Sequence, residues 1–115
     1  MNLPPQETLV RELFGAFAGH DLATLQILLS PAFVLHVPDH LPCAGSYRGW
    51  EGVLRFWREM AHQGKSALEA EIQRVLTGPD YAAVLANDHT EPGKSRVVYV
   101  LRLEEGRVAE CWMHT

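Results

Sequence analysis

From Leu68 onward the sequence breaks into four short runs separated by turn residues, and this pattern constrains the fold more than any other feature. Leu68, Ala70 and Ile72 alternate with Glu69, Glu71 and Gln73, the two-residue period of a strand with one wet and one dry face. Residues 81–89, 95–103 and 107–114 follow, rich in β-branched and aromatic side chains. Gly78-Pro79-Asp80, Pro92-Gly93 and Glu105-Gly106 stand between the runs and suit tight turns, glycine by allowing positive φ and proline by fixing it. Strands joined this closely pair antiparallel, and their dry face needs a cover.

The first half of the chain supplies that cover. Leu9, Leu13, Phe14 and Phe17 recur at helical spacing with Glu7, Arg11 and Glu12 off the stripe, and Pro4-Pro5 suits a first turn. Asp21 can cap a second helix carrying Leu22, Leu25, Leu28 and Leu29, which Ser30-Pro31 ends. Residues 33–37 read as a strand, followed by a connection of about a dozen residues marked by Pro38, Pro42, Gly45 and Gly49. Val53, Leu54, Trp57, Met60 and Ala61 form a third helical stripe from Trp50, closed by Gln63-Gly64-Lys65. Helix, helix, strand, helix and then four strands give a single α+β domain over residues 1–115.

Charge and motif content exclude several classes of function. Fourteen acidic against 10 basic residues give a net charge of −4 with no basic block, so a nucleic-acid partner is not expected. Apolar runs such as residues 97–101 are far too short to span a bilayer, and the start lacks the parts of a signal peptide, so a cytoplasmic protein without membrane partners is expected. Cys43 and Cys111 have no metal or disulfide spacing and read as thiols. His20, His40 and His62 sit beside caps or loops without ligand spacing, so no metal is expected. No GxSxG, phosphate loop or dinucleotide fingerprint occurs, which leaves cofactor-free proton transfer as the chemistry to consider.

Several segments in order carry a family likeness: His36-Val37-Pro38, then Ala44-Gly45-Ser46-Tyr47-Arg48-Gly49, a Trp-bearing helix, and residues 105–112 with Glu105-Gly106 and Trp112. Together they resemble the SnoaL-like, polyketide cyclase-like branch of the nuclear transport factor 2-like superfamily. The resemblance implies a cone-shaped roll, with a strongly curved antiparallel sheet wrapped over three helices around a pocket, and a homodimer through the sheet. It does not imply one reaction, because the scaffold serves cyclases, isomerases, dehydratases, epoxide hydrolases and non-catalytic adaptors.

A two-residue loop at Glu105-Gly106 would set Tyr99 opposite Trp112 and Val97 opposite His114, on one apolar face with Leu101, Leu103 and Val108. Glu110 is the misfit on that face, and Met113 falls on the other. The same reasoning at Pro92-Gly93 pairs Asp88 with Val97, so Asp88, Val97 and His114 would form one row; a one-residue slip would exchange Asp88 for His89. His36 shares a strand face with Val34. The acid–base candidates are therefore His36, Asp88, Tyr99 and His114, with Tyr47, Trp57 and Trp112 as ligand-binding aromatics.

Each candidate has a plainer reading. His36 can bond the following loop, His114 can be a solvated chain end, Asp88 can belong to its turn, and Tyr99, Trp57 and Trp112 can be core. The family's cyclases carry an Asp near the last strand where this chain has Met113-His114-Thr115, its epoxide hydrolases need an Asp-Arg-Asp set, and many relatives continue past this strand. The expected function is binding of a small apolar carbonyl-containing molecule, with isomerase, cyclase or dehydratase activity as one form. A non-catalytic ligand-binding or dimerisation module is the alternative.

Overall fold

The computed structural model describes residues 5–39, 41, 43–62, 70–88 and 95–114, with the backbone alone at 70, 88 and 95. His40, His89, the helix stop at 63–65, the strand start at 68–69 and the Pro92-Gly93 turn lie outside the described residues. The elements are α1 (Pro5–Ala18), α2 (Leu22–Leu28), β1 (Leu29–Val37), β2 (Gly45–Arg48), α3 (Gly49–His62), β3 (Ala70–Thr77), β4 (Tyr81–Asp88), β5 (Ser95–Glu104) and β6 (Arg107–His114).

The three helices pack against one curved, unclosed sheet in the order β2-β1-β6-β5-β4-β3. The sheet is mixed rather than wholly antiparallel, because β1 pairs parallel with β6 while the other neighbours are antiparallel. Hairpin logic could not have found that contact, since β1 and β6 are joined by the rest of the domain rather than by a turn. Strand β2 falls inside the connection expected between β1 and α3. It is four residues long and bounded by Gly45, too short for alternation to register.

Local signals account for the element ends. Asp21 caps α2, its Oδ1 accepting from the Thr24 amide at 3.2 Å and its Oδ2 from the Thr24 hydroxyl at 2.7 Å. Those bonds, the hydroxyl's first, hold the Asp21 carboxyl below its ordinary range. Pro31 falls where the β1–β6 register shifts, between Leu29 and Val34, which is where a strand tolerates a residue without an N–H.

Helix α1 lies against β3 and β4, α2 against β1 and β6, and α3 against β1 and β2. All therefore cover one face of the sheet. Val10, Leu13, Phe14, Ala16 and Phe17 from α1 meet Phe33, Leu35, Val84, Val97, Tyr99 and Leu101 from the strands. On α3 the buried positions are Gly52, Val53 and Phe56, whereas Leu54 is half-buried and Ala61 exposed, so the stripe is rotated toward Phe56 relative to the sequence reading.

Register, not element content, is where the structure departs most from expectation. Glu105 (φ 52) and Gly106 (φ 76) form the two-residue turn with positive φ at both positions that suits twisted strands. Pairing begins as expected with Glu104↔Arg107 and Leu103↔Val108, but next comes Arg102↔Glu110. Ala109 is an extra residue, a β-bulge, and every later pair moves by one: Leu101↔Cys111, Val100↔Trp112, Tyr99↔Met113 and Val98↔His114. A one-residue shift turns side chains to the opposite face. Trp112, Glu110 and His114 therefore lie on the outer face, away from the helices, while Cys111 and Met113 join Tyr99 inside.

Close packing of α3 on β2 generates a prediction. A Cβ at Gly52 would stand 2.6 Å from the Tyr47 carbonyl carbon and 3.1 Å from its Cα, so only glycine lets the helix sit on this strand. Gly52→Ala should destabilise the fold by about 1–3 kcal/mol in urea denaturation, as overpacking does, despite alanine's better helix propensity.

Candidate functional site

Among the sequence-derived candidates, Tyr99 and Trp57 lie on the helix-facing side, each against an aromatic of α1. Tyr99 is buried on the inner face and meets Phe14 edge-on at 5.0 Å. Trp57 meets Phe17 edge-on at 5.9 Å and lies 4.8 Å from the His20 ring. Phe14 and Phe17 are three residues apart on α1, so one helical face links the strand aromatic to the helix aromatic. The Trp57 indole Nε1–H is buried and has no hydrogen-bond acceptor among the described residues. A buried donor left unmade costs about 1–3 kcal/mol, so this is where the interior asks for an acceptor.

Asp88 ends β4, and its backbone pairs with Ala70 and Ser95 rather than with Val97; it is Ala86 that pairs with Val97. The expected row of Asp88, Val97 and His114 is thus not formed. Since Val84 pairs with Tyr99, Asp88 stands four residues along the strand from that pair, about 13 Å of strand rise.

Tyr47 is fully buried. Its hydroxyl lies 2.6 Å from the Cys43 carbonyl oxygen and 2.7 Å from Glu59 Oε2, and its ring packs edge-on against Phe56 at 5.2 Å. The Arg55 guanidinium sits 4.3 Å above the ring, and its Nη2 donates to the Ser46 carbonyl at 3.0 Å. Burial, followed by the bond to Glu59, pushes the phenol's pKa upward, so it stays protonated as a tie between β2 and α3.

His36, Trp112 and His114 share the outer face. His36 stacks on Trp112 with ring centroids 5.6 Å apart and 16° between planes. Its Nε2 is 2.6 Å from Glu110 Oε2 and its Nδ1 is 3.0 Å from Ser46 Oγ. Arg102 Nε donates to the other Glu110 oxygen at 3.3 Å, and Arg102 Nη1 reaches Glu104 at 2.9 Å. The His36 bond, more than Arg102, holds the Glu110 carboxyl below the usual glutamate range against the opposing effect of burial. His114 is exposed and pairs with Val98. Sequence reasoning named His36 but missed Ser46, Arg102 and Glu110 as its company, because β2 and the bulge in β6 bring them together.

An open cleft of about 410 Å³ lies between the first turn of α1 and the β3–β4 and β5–β6 turns, with Leu9, Pro79, Asp80 and Leu103 in its walls. None of the sequence-derived candidates with a described side chain lines it. Among the described residues no cluster of histidine, cysteine or acidic side chains could hold a metal ion, and no helix is long and apolar enough to cross a membrane. Cys111 is buried, and loss of hydration pushes its thiol up to about 12.

These features can be set beside known proteins. Bal32a, from a soil-derived mobile gene cassette, superposes with a TM-score of 0.81 at 24% identity over 96% of this chain and 88% of that one. A candidate polyketide cyclase from Sinorhizobium meliloti gives a TM-score of 0.73 at 18% identity, covering 97% of this chain and all of that one (100%). TerC, crystallised with polyporic acid, gives 0.81 at 11% identity over 96% and 91% of the two chains. At such identities these likenesses speak for the fold alone. No curated protein matches the sequence. The sequence pattern of the SnoaL-like domain matches residues 10–111, and with that match spanning most of its length the chain belongs to the SnoaL-like family within the nuclear transport factor 2-like superfamily.

Proposed function

We propose that the protein binds a small apolar molecule bearing a carbonyl group between the concave face of the sheet and the helices. The observation that carries this reading is the buried Trp57 indole N–H without an acceptor, set in an aromatic layer with Phe14, Phe17 and Tyr99. A ligand carbonyl would accept from that N–H, and the aromatic edges would hold an apolar body. The burial of the N–H means that a side chain of this layer shifts as the ligand enters. TerC, of the same fold, was crystallised with polyporic acid, which supports trying compounds of that kind first.

The second reading adds acid–base catalysis of isomerisation, cyclisation or dehydration to the same site. It rests on the likeness to a candidate polyketide cyclase and on the position of Asp88 at the end of β4. Of the four acid–base candidates, this reading keeps Asp88 and Tyr99. His36 and His114 take no part, because both lie on the outer face. A homodimer through the sheet fits the exposed Leu76, Tyr81 and Leu85, which cluster on the outer face of β3 and β4, with a second copy as the apolar partner.

These readings separate in experiment. Thermal shift with polyporic acid and small aromatic ketones should raise the melting temperature of the wild type, and Trp57→Phe should bind any hit roughly tenfold more weakly, the loss of about one hydrogen bond. Equal affinity in Trp57→Phe would remove the proposed contact. Asp88→Asn should keep binding while abolishing turnover of any substrate found; unchanged turnover would leave binding alone as the function. Light scattering should give twice the chain mass, falling to the single-chain mass in Leu85→Glu, whereas a wild-type monomer would contradict the dimer.

A further inference from the structure

We propose that Ser46, His36 and Glu110 form a nucleophile–base–acid relay on the outer face of the sheet, able to take the acyl group of a small activated ester onto Ser46. This relay uses none of the residues that face the helices, so it stands apart from the pocket reading.

The three residues come from the adjacent strands β2, β1 and β6, with His36 paired to Ser46 on one side and to Trp112 on the other. An imidazole has one N–H in its neutral form, and the partner of each nitrogen decides which one carries it. Glu110 Oε2 at 2.6 Å from Nε2 is an anionic acceptor, so it fixes the proton on Nε2. That leaves the Nδ1 lone pair to accept the Ser46 hydroxyl at 3.0 Å, the contact a general base makes with the nucleophile it activates.

The imidazole is held in that orientation. Trp112 stacks on one face of the ring, and Arg102 fixes the far oxygen of Glu110, as an orienting acid is fixed in a triad. Yet the site is open to a substrate: the His36 side chain is 31% exposed and Ser46 lies at the surface of the edge strand β2. Arg48 stands two residues further along β2, on the same strand face as Ser46.

The step balances with water as the only co-reactant. Ser46 Oγ attacks the ester carbonyl carbon as its proton passes to His36 Nδ1. The carbon–oxygen bond to the leaving group breaks, and the alcohol departs with that proton. Water then attacks the acyl-Ser46 ester, gives a proton to His36, and releases the acid as Ser46 Oγ takes the proton back. Ser46 and His36 are the catalytic residues; Glu110 is a positioning residue.

Incubating the full chain with p-nitrophenyl acetate and mapping the adduct by mass spectrometry tests the relay. One acetyl group is expected on the peptide containing Ser46, with nitrophenolate release falling about a hundredfold in Ser46→Ala and in His36→Gln. Glu110→Asp should retain part of the acylation that Glu110→Gln loses at equal melting temperature, a difference that a purely structural tie would not produce. Ser46→Ala carries the decision even if His36→Gln fails to fold, because position 46 is exposed. Absence of acetyl from Ser46 in the wild type, or unchanged release in Ser46→Ala, would overturn the proposal.

Discussion

The extra residue at Ala109 decides which side of the sheet each chemical group occupies. Without it, strict alternation from Val108 would bury Glu110 beside Leu101 and Leu103, where an unpaired carboxylate would lose its hydration with little in return. With it, Glu110 turns outward to Arg102 and His36, and Cys111 takes the buried position opposite Leu101. Both faces become chemically consistent: an inner face of aliphatic and aromatic side chains, and an outer face on which a histidine, a carboxylate, an arginine and a tryptophan interlock.

That division organises the functional possibilities. The inner face holds one buried donor without a described acceptor, the Trp57 N–H, within an aromatic layer. The outer face offers ionisable groups with fixed partners. Glu110 contributes stability through its depressed pKa only above the ordinary glutamate range. That contribution disappears as the pH falls through the folded value, so acid should loosen the β1–β6 seam before the aromatic core.

Much of this was legible in the sequence. Helical spacing of Leu13, Phe14 and Phe17, the Asp21 cap, the Glu105-Gly106 hairpin and the four C-terminal strands all follow from local chemistry, and the order of motifs identified the family. What was not legible is non-local or depends on a single inserted residue. The parallel β1–β6 contact joins segments far apart in the chain, and β2 is too short to show a period. The bulge left one trace, the charge of Glu110 on an otherwise apolar face. Read as a register signal rather than an exception, it would have moved Trp112 and His114 outward.

Cross-strand nuclear Overhauser contacts in the β5–β6 hairpin test that register most directly. The structure requires backbone contacts between Val100 and Trp112 and between Val98 and His114. Contacts instead between Tyr99 and Trp112 and between Val97 and His114 would contradict it, returning Trp112 to the concave face and dissolving the outer cluster around His36.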